Sequence, residues 1–175
     1  MIAKNMSFNP VNFKGTGAVD GLPVFVHQFP LTKGGFIDLE AENGSAKFGR
    51  IVCVEPTEKD AFKVGKTADG VIVGMLIADP TIMKNDPTMN DYYFAGRPAT
   101  VCTFGLVQIA SWDNSVTGAV TPALGSVVVV NDKTGQVGFL AAGTAAAPTD
   151  YTLLPGVKVY DVDGPNGVTL FVDLI

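Results

Sequence analysis

The chain has 175 residues, of which 47% are hydrophobic and only 17% carry a charge, and its formal net charge is −5. Globular proteins usually carry about 25% charged residues, so we expect a surface covered by partner subunits or by further copies of the chain. A monomer with a large core is the alternative. Lys and Arg form no cluster, which argues against a nucleic-acid-binding surface.

Residues 1–17 are predicted to form an extended N-terminal arm. Asn9-Pro10 and the glycines of 15–17 oppose a stable helix, whereas Phe8, Val11 and Phe13 make this segment more apolar than a disordered tail. We therefore expect the arm to fold onto a partner. Docking of the arm on its own domain is the alternative.

Residues 18–175 are predicted to form one all-β domain, because short β-branched runs alternate with turn residues and leave no room for a long helix. In the first half, strands are predicted at Val24–Phe29, Gly34–Leu39, Gly49–Glu55 and Val71–Ala78. Gly74 in the last of these predicts a bulge or a close backbone approach. The charged stretch 56–70 predicts a polar loop with one helical turn at Glu58–Phe62.

Residues 79–96 are predicted to be a long loop that leaves the domain. Two Asp-Pro steps and the lack of alternation argue against a strand, and compact domains seldom keep such a long connection without a use for it. Met83, Met89, Tyr92 and Tyr93 make the loop apolar. We expect it to pack on a neighbouring subunit, with a cap over its own barrel as the alternative.

The second half is predicted to be a scaffold of short strands. They cover Pro98–Phe104, Leu106–Ala110, Ser126–Val130, Gln136–Leu140, Lys158–Asp163 and Val168–Leu174. The last two are predicted to form a hairpin across GPNG. Turn residues recur at intervals typical of a sandwich or a small antiparallel barrel.

The sequence offers little chemistry, and we expect neither catalytic residues nor a cofactor. His27 is the sole histidine and lies in an alternating strand pattern, so a hydrolase triad would have to use it. The motif Val64-Gly65-Lys66-Thr67 resembles the end of a P-loop, but Asp60 stands where that motif requires glycine.

Metal binding is not expected either. Counted from Asp161, a calcium loop would need Gly at 166 and Glu at 172, where the chain has Asn166 and Val172. Cys53 and Cys102 are predicted to be buried free thiols. Trp112 is either an interface anchor or a residue at the rim of the core.

The order of these segments resembles the capsid decoration, or structural cement, proteins of tailed bacteriophages. GRIVCVE is followed by GVIVGMLIAD, by YYFAGRPATVCTFGLVQI and by SVTGAVTPALGSVVVVND. The resemblance extends over residues 45–142 and is marked by Gly74, Gly96, Gly105 and Gly125.

This resemblance implies a small β-barrel or β-tulip-like protein that binds the outer surface of an expanded phage capsid. It implies the major capsid protein as partner, a homotrimer, and a place in the virion after synthesis in the bacterial cytoplasm, without contact to nucleic acid or membrane. The candidate interface residues are Phe8, Val11, Phe13, Met83, Met89, Tyr92, Tyr93 and Trp112.

Two alternatives remain open at this point. One is another virion module, such as a fibre base or a carbohydrate binder, in which Trp112 with Asp113 and Asn114 would stack on a sugar ring. The other is a small trimeric enzyme, for which the sequence supplies no complete constellation of catalytic groups.

Overall fold

The computed structural model describes residues 21–24, 30–78, 91–162 and 167–175, and within these ranges it contains strands but no helix. No stretch of the described chain therefore forms a helix that would span a membrane. The strands are β1 (Leu22–Val24), β2 (Leu31–Ile37), β3 (Ile51–Glu55), β4 (Glu58–Val64), β5 (Val71–Leu76), β6 (Pro98–Ile109), β7 (Val127–Asn131), β8 (Val137–Leu140), β9 (Tyr151–Val162) and β10 (Val168–Asp173). The predicted all-β fold is confirmed.

Five strands close into a barrel in the order β2-β4-β3-β5-β6, because β6 also pairs with β2. All of these pairings are antiparallel except β2–β4, which is parallel and joins Phe36 to Ala61 and Ile37 to Phe62. The remaining main strands continue from β6 in the order β10-β9-β7-β8. We call these four strands the outer sheet.

Strand β6 belongs to both parts of the molecule. Its first half pairs with β2 and β5, and its second half pairs with β10 and with β1. Two strands were predicted here, but the chain runs through Gly105 without a break. Gly105 has a φ of 140°, and a Cβ on it would come within 2.9 Å of the Cβ of Pro30. Glycine therefore lets the strand turn while it stays paired.

The described residues form two main cores that share a wall. Alternate residues of β3, β5 and β6 point to opposite sides of the barrel wall, as strand geometry requires. Val52, Leu76 and Val101 point into the barrel and pack around Phe48 and Phe62. Their neighbours on the other face join the outer sheet in a second core: Ile51, Met75, Cys102, Val128, Phe139 and Leu170.

The prediction for residues 56–70 was wrong in its main element. A polar loop with a helical turn at Glu58–Phe62 was expected, but strand β4 occupies Glu58–Val64. Phe62 is fully buried inside the barrel, while Lys63 points outward to carboxylates. The charged residues face solvent from a barrel strand, and tertiary pairing with β3 outweighs their weak strand propensity.

Most other predicted strands are confirmed with shifted ends. Strands β3 and β5 are antiparallel neighbours with a register shift beside Gly74, where a Cβ would lie 2.7 Å from the carbonyl oxygen of Cys102. Strands β9 and β10 are antiparallel neighbours, as the predicted hairpin requires, although β9 starts earlier than expected, at Tyr151, and residues 163–166 of the connection lie outside the described residues. Cys53 and Cys102 are buried free thiols, as predicted. Burial raises the pKa of the Cys102 thiol to about 11.

Candidate functional site

A group of exposed apolar side chains lies where the parallel β2–β4 pairing closes the barrel. Phe36 on β2 is 52% exposed, Leu39 just after it is 83% exposed, and Phe94 is 41% exposed. The ring of Phe94 packs edge-on against Tyr92, with centroids 5.1 Å apart. We call Phe36, Leu39, Tyr92 and Phe94 the aromatic patch.

Backbone hydrogen bonds hold the two segments of the patch together. Gly96 donates its N–H to the carbonyl of Ile37 at 2.8 Å, and Ile37 donates to the carbonyl of Arg97 at 3.0 Å. Gly96 has a φ of 71°, which favours glycine. A Cβ there would also come within 2.8 Å of the Leu39 side chain. The turn that carries Phe94 is thus fixed to the end of β2.

A shallow groove of about 530 Å³ runs beside the patch. Phe36, Leu39 and Gly96 line one side, and residues 57–61 of the β3–β4 turn and β4 line the other. The lining includes the acids Asp38, Glu58 and Asp60 and one base, Lys59. The groove therefore combines the apolar side chains of Phe36 and Leu39 with an excess of negative charge, which suits an apolar partner segment that carries a basic side chain.

Lys63 neutralises part of this charge. Its Nζ lies 3.2 Å from Glu55, 3.4 Å from Asp38 and 3.8 Å from Glu58. The hydrogen bond to Glu55 is the main cause that raises the pKa of Lys63, and partial burial opposes it. The ammonium group is fully charged at neutral pH. It therefore organises the carboxylates at the groove and has no chemistry of its own to contribute.

The two adjacent tyrosines of the predicted interface face opposite ways. Tyr92 is half-buried and belongs to the patch, but Tyr93 is only 2% exposed. The Tyr93 hydroxyl donates to the carbonyl of Ile77 at 2.9 Å, and its ring packs edge-on against Phe48 at 5.3 Å. Tyr93 was predicted to be an interface residue, and this prediction is wrong, because its side chain lies in the barrel core.

Trp112 lies at the rim of the second core, which is one of the two positions expected for it. It is half-buried, and its ring packs edge-on against Phe139 with centroids 6.0 Å apart. The five remaining interface candidates, Phe8, Val11, Phe13, Met83 and Met89, lie outside the described residues, as does His27.

Next to Trp112, a buried carboxylate forms the densest polar network of the described chain. Oδ1 of Asp113 accepts from the Ser115 N–H at 2.8 Å and the Ser115 hydroxyl at 2.6 Å. Oδ2 accepts from the Tyr151 hydroxyl at 2.8 Å and from the Asn131 side-chain amide at 3.1 Å. Asp113 is only 8% exposed, and we call these four residues the Asp113 network.

The network keeps its carboxylate charged. Burial raises the pKa of Asp113, but hydrogen bonds from Ser115, Tyr151 and Asn131 outweigh burial and hold the pKa below its ordinary value of 3.8. All four contacts come from donors, which stabilise the ionised form. A general base must be free to take a proton, so this arrangement fits a structural role.

The motif 64–67, which resembles the end of a P-loop, takes part in a contact between the barrel and the outer sheet. Lys66 donates its backbone N–H to the carbonyl of Asp132 at 2.9 Å, and Ile51 donates to the carbonyl of Gly135 at 2.8 Å. The turn 64–67 thus meets the β7–β8 turn where a phosphate loop would need free backbone. Among the described residues, no group of three or more His, Cys, Asp or Glu is placed to hold a metal ion.

Sequence reasoning missed three members of the patch, Phe36, Leu39 and Phe94. Alternation gave a signal for Phe94, since residues 92 and 94 of an extended segment share a face. No such signal marks Phe36 or Leu39. Each follows an ordinary strand pattern, and only the closure of the barrel decides that they face outward.

The described part of the chain is thus an all-β scaffold with an exposed apolar patch, an arrangement typical of structural and binding proteins. A family model described as Structural cement protein (E217 gp24/Pam3 gp6) matches residues 15–172. The chain belongs to this family, as the resemblance in its sequence suggested, and the family supports a structural, stabilising role in a phage capsid.

A solved structure shares the fold. A chain of the capsid of Myoviridae Phage XM1 is 14% identical in sequence, superposes with a TM-score of 0.62, and the match covers 97% of this chain and 100% of that one. No curated protein matches the sequence. At this level of identity the structural match establishes the common fold, and the family model carries the functional class.

Proposed function

We propose that the protein binds the outer surface of the phage head and ties neighbouring major-capsid subunits together, so that the expanded shell resists the pressure of packaged DNA. Membership of the cement family supports the capsid role. The aromatic patch beside the groove is the observation that carries the proposed contact, because exposed aromatic residues are favoured anchors in protein interfaces.

The groove suits a specific kind of coat-protein segment. Phe36 and Leu39 offer apolar surface along one side, and the acids at 38, 58 and 60 outnumber Lys59 within the lining. An apolar segment with one or two basic side chains would bury the rings and meet the carboxylates at the rim. Charges of this kind steer association and set the register more than they add affinity.

The arm and the oligomer complete the proposal. Residues 1–17, with Phe8, Val11 and Phe13, would lie along the coat protein, and the excursion with Met83 and Met89 would extend the contact next to Tyr92. A homotrimer would present three copies of each surface. Several modest contacts made at once give an avidity that a single copy lacks.

The test is cosedimentation with expanded capsids that lack the protein. Truncating Phe36 and Phe94 together, as Phe36→Ser with Phe94→Ser, removes apolar contact worth about 2 kcal/mol, or about thirtyfold in Kd. Leu124→Ser is the matched control, because Leu124 is 73% exposed and lies outside the patch. Its affinity should match that of the unaltered protein.

The outcomes separate the patch from the arm. Unchanged binding by the double variant would exclude the patch as the capsid contact. A protein without residues 1–14 that still binds with full affinity would exclude the arm. If neither the full chain nor its variants associate with capsids under any condition, the cementing proposal itself is wrong.

A further inference from the structure

The Asp113 network joins three segments that are distant in sequence. Ser115 belongs to the connection after β6, Asn131 ends β7, and Tyr151 begins β9. Asn131 and Tyr151 also contact each other, with the amide nitrogen 3.3 Å from the hydroxyl. One carboxylate therefore fixes the approach of three chain segments at the same corner of the outer sheet.

Asn131 connects this corner to the barrel. Its side-chain oxygen accepts from the N–H groups of Lys133 and Thr134, both at 3.1 Å, and so shapes the turn 131–135 between β7 and β8. That turn contacts the barrel through the bonds from Lys66 to Asp132 and from Ile51 to Gly135. The side-chain nitrogen of Asn131 thus belongs to the network, and its side-chain oxygen belongs to the turn.

We propose that Asp113 is a latch: by holding Asn131, its carboxylate keeps the turn 131–135 seated on the barrel, and loss of the negative charge loosens this contact. The latch would hold the outer sheet and the barrel in a fixed relative position. It does not depend on what the aromatic patch binds.

The donor count explains why a charge is needed. Four donors converge on Asp113, and only a carboxylate presents two oxygens that both accept. An amide or a protonated acid turns a donor toward either the Ser115 pair or the Tyr151–Asn131 pair, and so breaks at least one of the hydrogen bonds to this buried position. Replacement of Asp113 by Asn therefore reproduces, at neutral pH, the loss of negative charge that protonation causes in acid.

The surroundings contain few other groups that titrate in acid. On the turn, Asp132 accepts from Thr152 at 2.7 Å, and the exposed Lys133 lies 3.5 Å from Asp150 at the start of the β9 segment. Tyr151 contributes its neutral hydroxyl, and β8 contributes Gly138, which packs against the Asp113 backbone. In acid, Asp113 is thus the buried carboxylate that changes charge at this corner of the described structure.

The sign of the pH dependence follows from the lowered pKa of Asp113. A carboxylate with a lower pKa in the folded than in the unfolded state contributes stability above the unfolded pKa. This contribution is lost as the pH falls through the folded pKa, which lies below 3.8. The latch is therefore closed at neutral pH and opens only in acid.

The experiment measures amide hydrogen exchange by NMR in the full chain at pH 7. In Asp113→Asn, protection of the Ile51 and Lys66 amides should fall about tenfold or more, since a hydrogen bond that holds the network together is lost. The Ile77 amide, which donates to Thr100 within the barrel, should keep its protection. Tyr151→Phe should produce a smaller loss at the same two amides.

Trp112, the sole tryptophan, gives a second readout beside the latch. In the unaltered protein its fluorescence should shift as the pH falls below about 4, and Asp113→Asn should show the shifted signal already at pH 7 with no acid transition. Asp150→Asn is the control, because it removes the exposed ion pair with Lys133 and should leave both readouts unchanged.

Two results would overturn the latch. One is unchanged protection of Ile51 and Lys66 in both Asp113→Asn and Tyr151→Phe. The other is an equal loss at Ile77, which would mean that the network supports global stability and not the seat of the turn. If Asp113→Asn does not fold, Tyr151→Phe decides between these outcomes alone.

Discussion

The barrel and the outer sheet reach stability in different ways. Each barrel strand has a neighbour on both sides, and the ring of β2, β4, β3, β5 and β6 encloses its own core around Phe48 and Phe62. The outer sheet ends at β8, whose outer edge is covered in the described chain only by isolated bridges from Asp113 and Ala119, and it does not close on itself. Its core is completed by Ile51, Met75 and Cys102, which belong to the barrel wall.

We infer from this difference that the outer sheet depends on the barrel more than the barrel depends on the outer sheet. The barrel would lose a covering layer without the outer sheet, but the outer sheet would lose a wall without the barrel. The latch at Asp113 and the glycine contacts at the turn 131–135 lie where the outer sheet contacts the barrel. The aromatic patch lies on the barrel, the part that encloses its own core.

The largest effect is expected from a substitution at Gly65 that forces the barrel and the outer sheet apart. This residue has a φ of 80°, and a Cβ on it would overlap the carbonyl oxygen of Asp132. We expect Gly65→Ala to cost about 4 kcal/mol or more in unfolding free energy, from backbone strain and from overlap with the turn. Denaturant unfolding gives the value.

Gly143→Ala is the matched control for this prediction. Gly143 has a nearly identical φ of 82°, and a Cβ there would meet nothing within 4 Å. Its cost should be about 1–2 kcal/mol, from the left-handed backbone alone. Equal costs at both sites would show that the contact between Gly65 and Asp132 contributes nothing.

Two core truncations test the direction of the dependence. Phe62 and Phe139 are both fully buried, the first in the barrel and the second in the core of the outer sheet. Each change to Ala should cost about 3–5 kcal/mol, through lost burial and a cavity. Phe62→Ala should lower hydrogen-exchange protection in both parts, whereas Phe139→Ala should spare barrel amides such as Ile77. The reverse pattern would contradict the stronger dependence of the outer sheet on the barrel.

The sequence predicted the strands whose residues are apolar on both faces, because their pattern admits no other structure. Strand β3 is buried at four of its five positions, and its IVCV run already indicates a central strand. Strand β4 was not predicted, because its charged residues have weak strand propensity. It is a strand because it pairs with β3 and β2. Its Phe62 is the one fully buried side chain in that run.

The candidate site was harder to predict than the fold, since exposure depends on how distant segments meet. Tyr92 and Tyr93 carry the same side chain, and the structure puts one in the patch and the other in the core. Phe36 becomes exposed because β2 closes the barrel beside it. Asp113 was noticed only as a neighbour of Trp112, because its partners Asn131 and Tyr151 are far along the chain.

The smallest effect is expected from removing the charge of Lys63, whose ion pairs we compare with the Asp113 network. Lys63 on the barrel contacts three carboxylates but remains partly in water, whereas the Asp113 carboxylate is buried. Lys63→Met keeps the apolar stem and removes the charge, so we expect a smaller fall in Tm than for any change above, and one that shrinks in high salt because exposed pairs are screened. Lys133→Met, which removes the exposed pair with Asp150, is the control.

The pH dependence of the two clusters should have opposite signs. The pKa of Lys63 is raised in the folded protein, so its contribution is complete below the unfolded pKa and disappears as the pH rises through the folded one. Asp113 loses its contribution in acid instead. The difference in Tm between Lys63→Met and the unaltered protein should therefore stay constant between pH 5 and 8 and narrow as the pH rises above about 10. A difference that already narrows between pH 5 and 8 would show that other groups set the charge at the groove.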